Sequence, residues 1–172
     1  MMNHEQPATK KSLHRSASVI LASVVFVSAC SGGSTARSGC DPARSEPEAA
    51  DSLIHVLPGA VTAYLTDPPT SGPHQGWSAP QVLDRELSRP EQVGVLETGD
   101  VLVQYRPSDV DPQVLARLSQ QIPNRFIHLA PNSSLEDPVV LTAWTTKQVC
   151  DSLDVETIAS FGLKYGGRVG DH

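Results

Sequence analysis

From Leu53 onward the chain alternates short apolar runs with turn-forming residues. Leu53 to Val56 is a short apolar run ended by Pro58-Gly59, the pattern of a first strand, and Val61 to Leu65 is a second. Asp67-Pro68-Pro69-Thr70-Ser71-Gly72-Pro73-His74 holds three prolines and a glycine, which excludes helix and central strand and predicts a rigid loop. Leu83 and Leu87 have helical spacing and predict one or two turns before Pro90. The strongest strand signal is Gly94 to Tyr105, where Val101, Val103 and Tyr105 alternate with Leu102 and Gln104 after a turn at Gly99-Asp100. Asp111 followed by Pro112 is an N-cap with proline at the first helical position. That helix places Val114, Leu115, Leu118 and Ile122 on one face and stops at Pro123-Asn124. Arg125 to Leu129 and Val139 to Trp144 read as strands. Asp154 then caps a last helix with the stripe Val155, Ile158, Phe161 and Leu163, broken by Gly166-Gly167.

This order of elements predicts an α+β fold: a single domain over residues 51–172, with a mixed β-sheet and helices packed mainly on one face. The strand ending at Tyr105 should pair in parallel with 126–129 through a right-handed crossover, and 139–144 should return antiparallel as a hairpin.

The N-terminal stretch changes the picture. Lys10, Lys11 and Arg15 precede an uncharged apolar run from Ala17 to Ala29, so residues 1–29 read as a signal peptide. The run ends in Val27-Ser28-Ala29-Cys30, which resembles the bacterial lipobox, and the flexible Ser31-Gly32-Gly33-Ser34 follows. The resemblance implies a lipid-bearing Cys30; the alternative is an ordinary secretory signal with a coincidental cysteine. Residues 30–50, rich in Ser, Gly, Ala, Pro, Glu and Arg, read as a linker. The expected location is the cell membrane, lipid-anchored and facing the extracytoplasmic side.

With Cys30 acylated, Cys40 and Cys150 are left, and outside the cytoplasm two thiols usually pair. There is no Cys-x-x-Cys, so a structural disulfide is expected rather than a redox pair. The 172 residues carry 13 Lys+Arg and 19 Asp+Glu, a net charge of −6. Removal of residues 1–29 takes away three basic residues and Glu5, leaving 10 − 18 = −8. An acidic domain argues against nucleic acid as partner and leaves membrane attachment to the acyl chains.

His74 is the histidine that stands out: it ends the proline-rich loop, with Trp77 three residues later. His55 and His128 fall inside strand patterns, where a lone histidine is usually a packed or surface residue, and His172 is terminal. Ser71, Asp67 and His74 superficially offer a nucleophile, an acid and a base, but triads assemble from distant segments, and no Gly-x-Ser-x-Gly elbow is present. Asp109 and Asp111 serve a helix start, and Asn132-Ser133-Ser134 reads as a turn.

The loop Pro68–His74 resembles the signature of the bacterial domain-of-unknown-function family 3105, whose members are typically membrane-anchored or exported. The similarity continues through Leu96-Glu97, Gly99, the strand to Tyr105 and Val140–Trp144, covering roughly residues 50–166. The family has no established activity, so the resemblance implies fold and context. Its second motif, His-Ser-Leu-Glu-His-Gly, is replaced here by Gly94-Val95-Leu96-Glu97-Thr98-Gly99. In the family, the loop histidine and these two could form a three-nitrogen site for zinc or copper. His-x-x-Glu-His also has the spacing of an inverted zinc-protease motif, which must lie on a helix, whereas here the segment is expected to lead into a strand. His74 and Glu97 are the remaining candidate metal pair.

The first functional expectation is therefore a non-catalytic binding or scaffold module without a cofactor. It would take an unknown protein or small-molecule ligand through Ser71, His74, Trp77 and Glu97. The alternative is a zinc or copper protein using His74 with Glu97 or His128, and the next an unrecognised hydrolase.

Overall fold

The computed structural model describes Met1 and residues 39–78, 80–122 and 126–167. The signal peptide, Cys30, the tether 31–38, Pro123-Asn124, Arg125 and His172 lie outside the described residues. Ala36–His172 forms a compact unit. Its elements are β1 (Arg44–Ser45), α1 (Arg89–Glu97), β2 (Val101–Tyr105), α2 (Pro112–Gln121), β3 (Ile127–Pro131), β4 (Val139–Ala143), β5 (Thr146–Cys150) and α3 (Val155–Tyr165).

The five strands form one mixed sheet in the order β1-β5-β4-β2-β3. The α+β expectation holds, and β2 and β3 are parallel neighbours, Val101 opposite Ile127 and Val103 opposite Leu129. The antiparallel return is different from the one expected. β4 pairs with β2 on the side away from β3, and the hairpin is β4–β5. That hairpin turns through Thr145 at φ 49°, a left-handed position usually marked by Asn or Gly, so β5 has no local turn signal.

Register sorts the side chains. On one face Val101, Val103, Ile127, Leu129, Val139 and Leu141 pack against Leu118 of α2 and Ile158 and Phe161 of α3. On the other, Leu102 and Ala130 pack against Val95 and Leu96 of α1 with Leu83 and Leu87. β2 is buried along its whole length because both faces are covered. Two of the three helices share a face, and α1 sits on the other. Leu163, expected in the α3 stripe, is 77% exposed; the buried positions are Ile158, Phe161 and Gly162.

Several local expectations fail for identifiable reasons. Residues 94–97 are helical, not strand. Ser88 and Glu91 form a reciprocal capping box, and Pro90 sits in the first turn, so the helix starts at 89 and runs through the β-branched Val93 and Val95. The helix expected before Pro90 is absent: Gln81 and Leu83 hydrogen-bond across to Leu129 on β3, an isolated bridge on that strand's outer edge. Val61–Leu65 forms no strand, and Leu53–Val56 contributes only the parallel bridge between His55 and His74.

The fold also begins before the expected boundary at 51. Arg44–Ser45 pairs antiparallel with β5, and Ala49 is buried. Cys40 is disulfide-bonded to Cys150, as expected.

Candidate metal centre

His74 is held by its own loop. Asp67-Pro68 is a cis peptide, and Ser71 Oγ accepts a hydrogen bond from the Ala49 N–H at 2.9 Å. Gly72 stands at φ +122°, where a Cβ would lie 3.1 Å from the Tyr64 ring. Tyr64 donates its hydroxyl to the Pro73 carbonyl at 2.7 Å. His74 is 1% exposed. Its Nδ1 lies 3.1 Å from the Gly72 carbonyl oxygen, which can only accept, so Nδ1 carries the proton in the neutral ring. Nε2 then presents a lone pair, and it has no hydrogen-bond partner among the described residues.

Two further side chains come near the His74 ring. The His74 N–H donates to the Ile54 carbonyl at 3.0 Å, and the Val56 N–H donates to the His74 carbonyl at 2.8 Å. This short parallel bridge sets His55 beside His74, with ring centroids 4.4 Å apart and planes at 65°. Glu97 comes from the last turn of α1. Gly94 precedes it by three residues and shares its helix face. A Cβ at position 94 would stand 2.1 Å from the Gln75 carbonyl oxygen, so the helix reaches the segment after His74 only because residue 94 has no side chain. The Gln75 N–H bonds the Pro90 carbonyl and fixes the contact.

One donor atom from each of His55, His74 and Glu97 lies within 4.8 Å of the others. Ligands of one tetrahedral zinc are about 3.4 Å apart, given bonds of about 2.1 Å. Closing the difference requires shifts of about 1 Å, open to the exposed His55 and half-buried Glu97 while His74 stays fixed.

The other expected residues sit elsewhere. Ser71 is buried and bonded to backbone, and the Asp67 carboxylate pairs with Arg89 at 2.8 Å, so Ser71, Asp67 and His74 form no triad. His128 is not a ligand beside His74. Its Nε2 is 2.7 Å from Asp100, and its Nδ1 is 3.2 Å from the Pro80 carbonyl. Trp77 packs edge-on against His128, with centroids 5.9 Å apart.

His55 is the member of this cluster that the sequence does not mark. Its bridge to a residue 19 positions later leaves no local signal. Also unforeseen was Lys147, 3% exposed on the β5 face toward the proline loop. It donates to the Asp67 carbonyl at 3.1 Å, and burial pushes its ammonium below the usual lysine range, with Glu46 opposing.

A family model described as "Protein of unknown function (DUF3105)" matches residues 55–170. The chain belongs to this family. No curated protein and no solved structure shows a significant match. Membership in DUF3105 carries no activity, so the chemistry rests on the residues above. Among the described residues no helix is long and apolar enough to cross a membrane.

Proposed function

We propose that this DUF3105 domain is a non-catalytic binding module, lipid-anchored through Cys30 on the extracytoplasmic face of the cell membrane, that takes one zinc or copper ion at His55, His74 and Glu97. The observation that carries the metal reading is the buried, unpartnered Nε2 of His74, whose ring is locked from the other side by the Gly72 carbonyl. A metal ligand histidine is typically oriented in this way. Leaving such an atom without a partner costs about 1–3 kcal/mol, which an ion would recover. Imidazole nitrogens with a carboxylate suit zinc and copper rather than calcium or magnesium.

Two histidines and a glutamate also form the donor set of some catalytic zinc sites. Hydrolysis needs a further acid or base beside the ion. Among the described residues no further His, Cys, Asp or Glu joins the cluster, which favours binding.

The test is calorimetric titration of the unit 36–172 with Zn(II) and with Cu(II), in parallel with His74→Ala, His55→Ala and Glu97→Gln. One equivalent should bind, and each substitution should weaken binding by at least about tenfold. His55 is exposed, so its variant reports on the site even if His74→Ala disturbs the loop. Binding that is absent, or indifferent to His55→Ala and Glu97→Gln, would refute the site. The anchor is tested separately, by the mass of the Cys30 peptide.

A further inference from the structure

We infer that the loop 52–66 is a membrane-dipping surface, inserting Leu53, Leu57, Val61 and Leu65 into the interfacial layer of the bilayer to which the chain is tethered. This extends the anchor reading above and rests on it for the tether.

The first observation is exposure. Leu53 is 70% exposed, Ile54 53%, Leu57 81%, Val61 100% and Leu65 60%. Apart from the terminal Met1, only Val82 and Leu163 among the described residues are other exposed large hydrophobics. Scattered apolar residues are normal on a protein surface; five within thirteen residues of one loop are not.

The second is charge. Ser52 to Thr66 contains no Asp, Glu, Lys or Arg, in a chain whose net charge is −6. Anionic headgroups repel most of this domain but not this loop.

The third is order. The loop is fastened at its base by the His74–Ile54 and Val56–His74 backbone bonds, by Ser52 to the Ala49 carbonyl, and by Tyr64 to the Pro73 carbonyl. Ala60 N–H closes a turn on the Leu57 carbonyl at its tip. Its apolar side chains therefore project from a built scaffold, with little ordering left to lose on insertion.

Two arguments choose lipid over protein. Protein hot spots favour Trp, Tyr and Arg, whereas the exposed large hydrophobic side chains of this loop are all aliphatic, and Tyr64 is committed to Pro73. The tether is also short. Nine residue steps lead from Cys30 to Gly39, the first described residue of the domain. Fully extended they reach about 30 Å, and as a coil about 17 Å, so a Cys30-anchored domain stays at the bilayer surface.

The experiment uses unit 36–172 carrying one added N-terminal cysteine, coupled to a maleimide lipid in phosphatidylcholine vesicles with or without phosphatidylglycerol. The tether then exists whether or not Cys30 is acylated in the cell, and failure of the anchor reading shows separately in the Cys30 peptide mass. Backbone hydrogen exchange of 53–65 is compared on vesicles and in buffer. On vesicles it should slow by about tenfold or more. The variant Leu57→Asp/Val61→Asp, changed only at exposed positions, should keep its thermal midpoint and lose that protection. Equal exchange on vesicles and in buffer would overturn the proposal, as would protection that survives the double substitution. Protection appearing in the concentrated, lipid-free unit together with a dimer in sedimentation would also overturn it, in favour of a second copy of the chain.

Discussion

Gly94→Ala sets two effects against each other. In an exposed helix interior, alanine is better than glycine by about 1 kcal/mol. Propensity alone therefore says that the variant is stabilised. Packing says the opposite. The new Cβ would stand 2.1 Å from the Gln75 carbonyl oxygen, where carbon–oxygen contacts are normally about 3.3 Å. The obstacle is backbone, so α1 and the segment after His74 must part by about 1 Å. Parting them strains the Gln75–Pro90 hydrogen bond, worth about 1 kcal/mol. It also disturbs Val93, Val95 and Leu96, each 0% exposed, at an overpacking cost of about 1–3 kcal/mol. The balance is a net loss of about 1–3 kcal/mol. For a domain of roughly 130 residues that lowers the thermal midpoint by about 4–10 °C. Because Glu97 lies one turn further along the same face, the shift also carries it away from His74, and zinc or copper affinity should fall with stability. Thermal unfolding followed by circular dichroism, with a parallel metal titration, checks both. An alanine variant as stable as its parent would show that the loop is not closed on the helix. The argument bringing Glu97 to His74 would then lose its basis.

Cys40 and Cys150 close a loop with a sequence separation of 110, so Cys40→Ser/Cys150→Ser should cost about 4–5 kcal/mol and lower the thermal midpoint by roughly 15 °C. A shift of only a degree or two, with the parent's disulfide verified by mass, would contradict that. Asp154 accepts the Thr157 N–H at 2.7 Å at the start of α3, and bonds from the Thr157 hydroxyl and N–H hold its carboxyl below the usual aspartate range. Asp154→Ala should cost about 1 kcal/mol near neutrality. A depressed pKa stabilises above the unfolded value and ceases to do so as the pH falls through the folded one, so parent and variant should converge as the pH falls below the usual aspartate range in urea titrations. A difference that is constant from neutral to acid pH would remove the cap explanation.

How much of this was legible depends on the range of the signal. The parallel β2–β3 pair was readable because the Asp111-Pro112 cap and the apolar positions around Leu118 mark a crossover helix between two apolar runs. The pairing of β4 with β2 was not, because nothing local says which edge a returning strand will take. The start of α1 was misread although its signal was present. Ser88 and Glu91 are three apart, a capping-box spacing, but the alternation at Val101–Tyr105 extends a strand pattern back to Gly94. β1 and β5 carry little local signal: β1 is two exposed polar residues at the sheet edge, and β5, between β1 and β4, opens on Thr146-Lys147-Gln148, so both are placed by a long-range disulfide and a turn through Thr145.

The candidate site repeats this lesson at closer range. His74 could be picked out because its loop is rigid in isolation: three prolines, a glycine and a short reach leave few conformations. His55 could not, since its role comes from a two-bond bridge to that loop, and in sequence it is one polar residue in an apolar run. Position 94 is the instructive one. Under the resemblance to the family motif it reads as a missing histidine and hence as a loss. In the fold it is a gap that the Gln75 carbonyl fills, and the approach it permits delivers Glu97 to the two histidines. A histidine at 94 would need the space that this backbone occupies. Gly94 and the His55–His74–Glu97 cluster are therefore two aspects of one packing solution. The same substitution that restores the motif on paper should dismantle the cluster in the molecule.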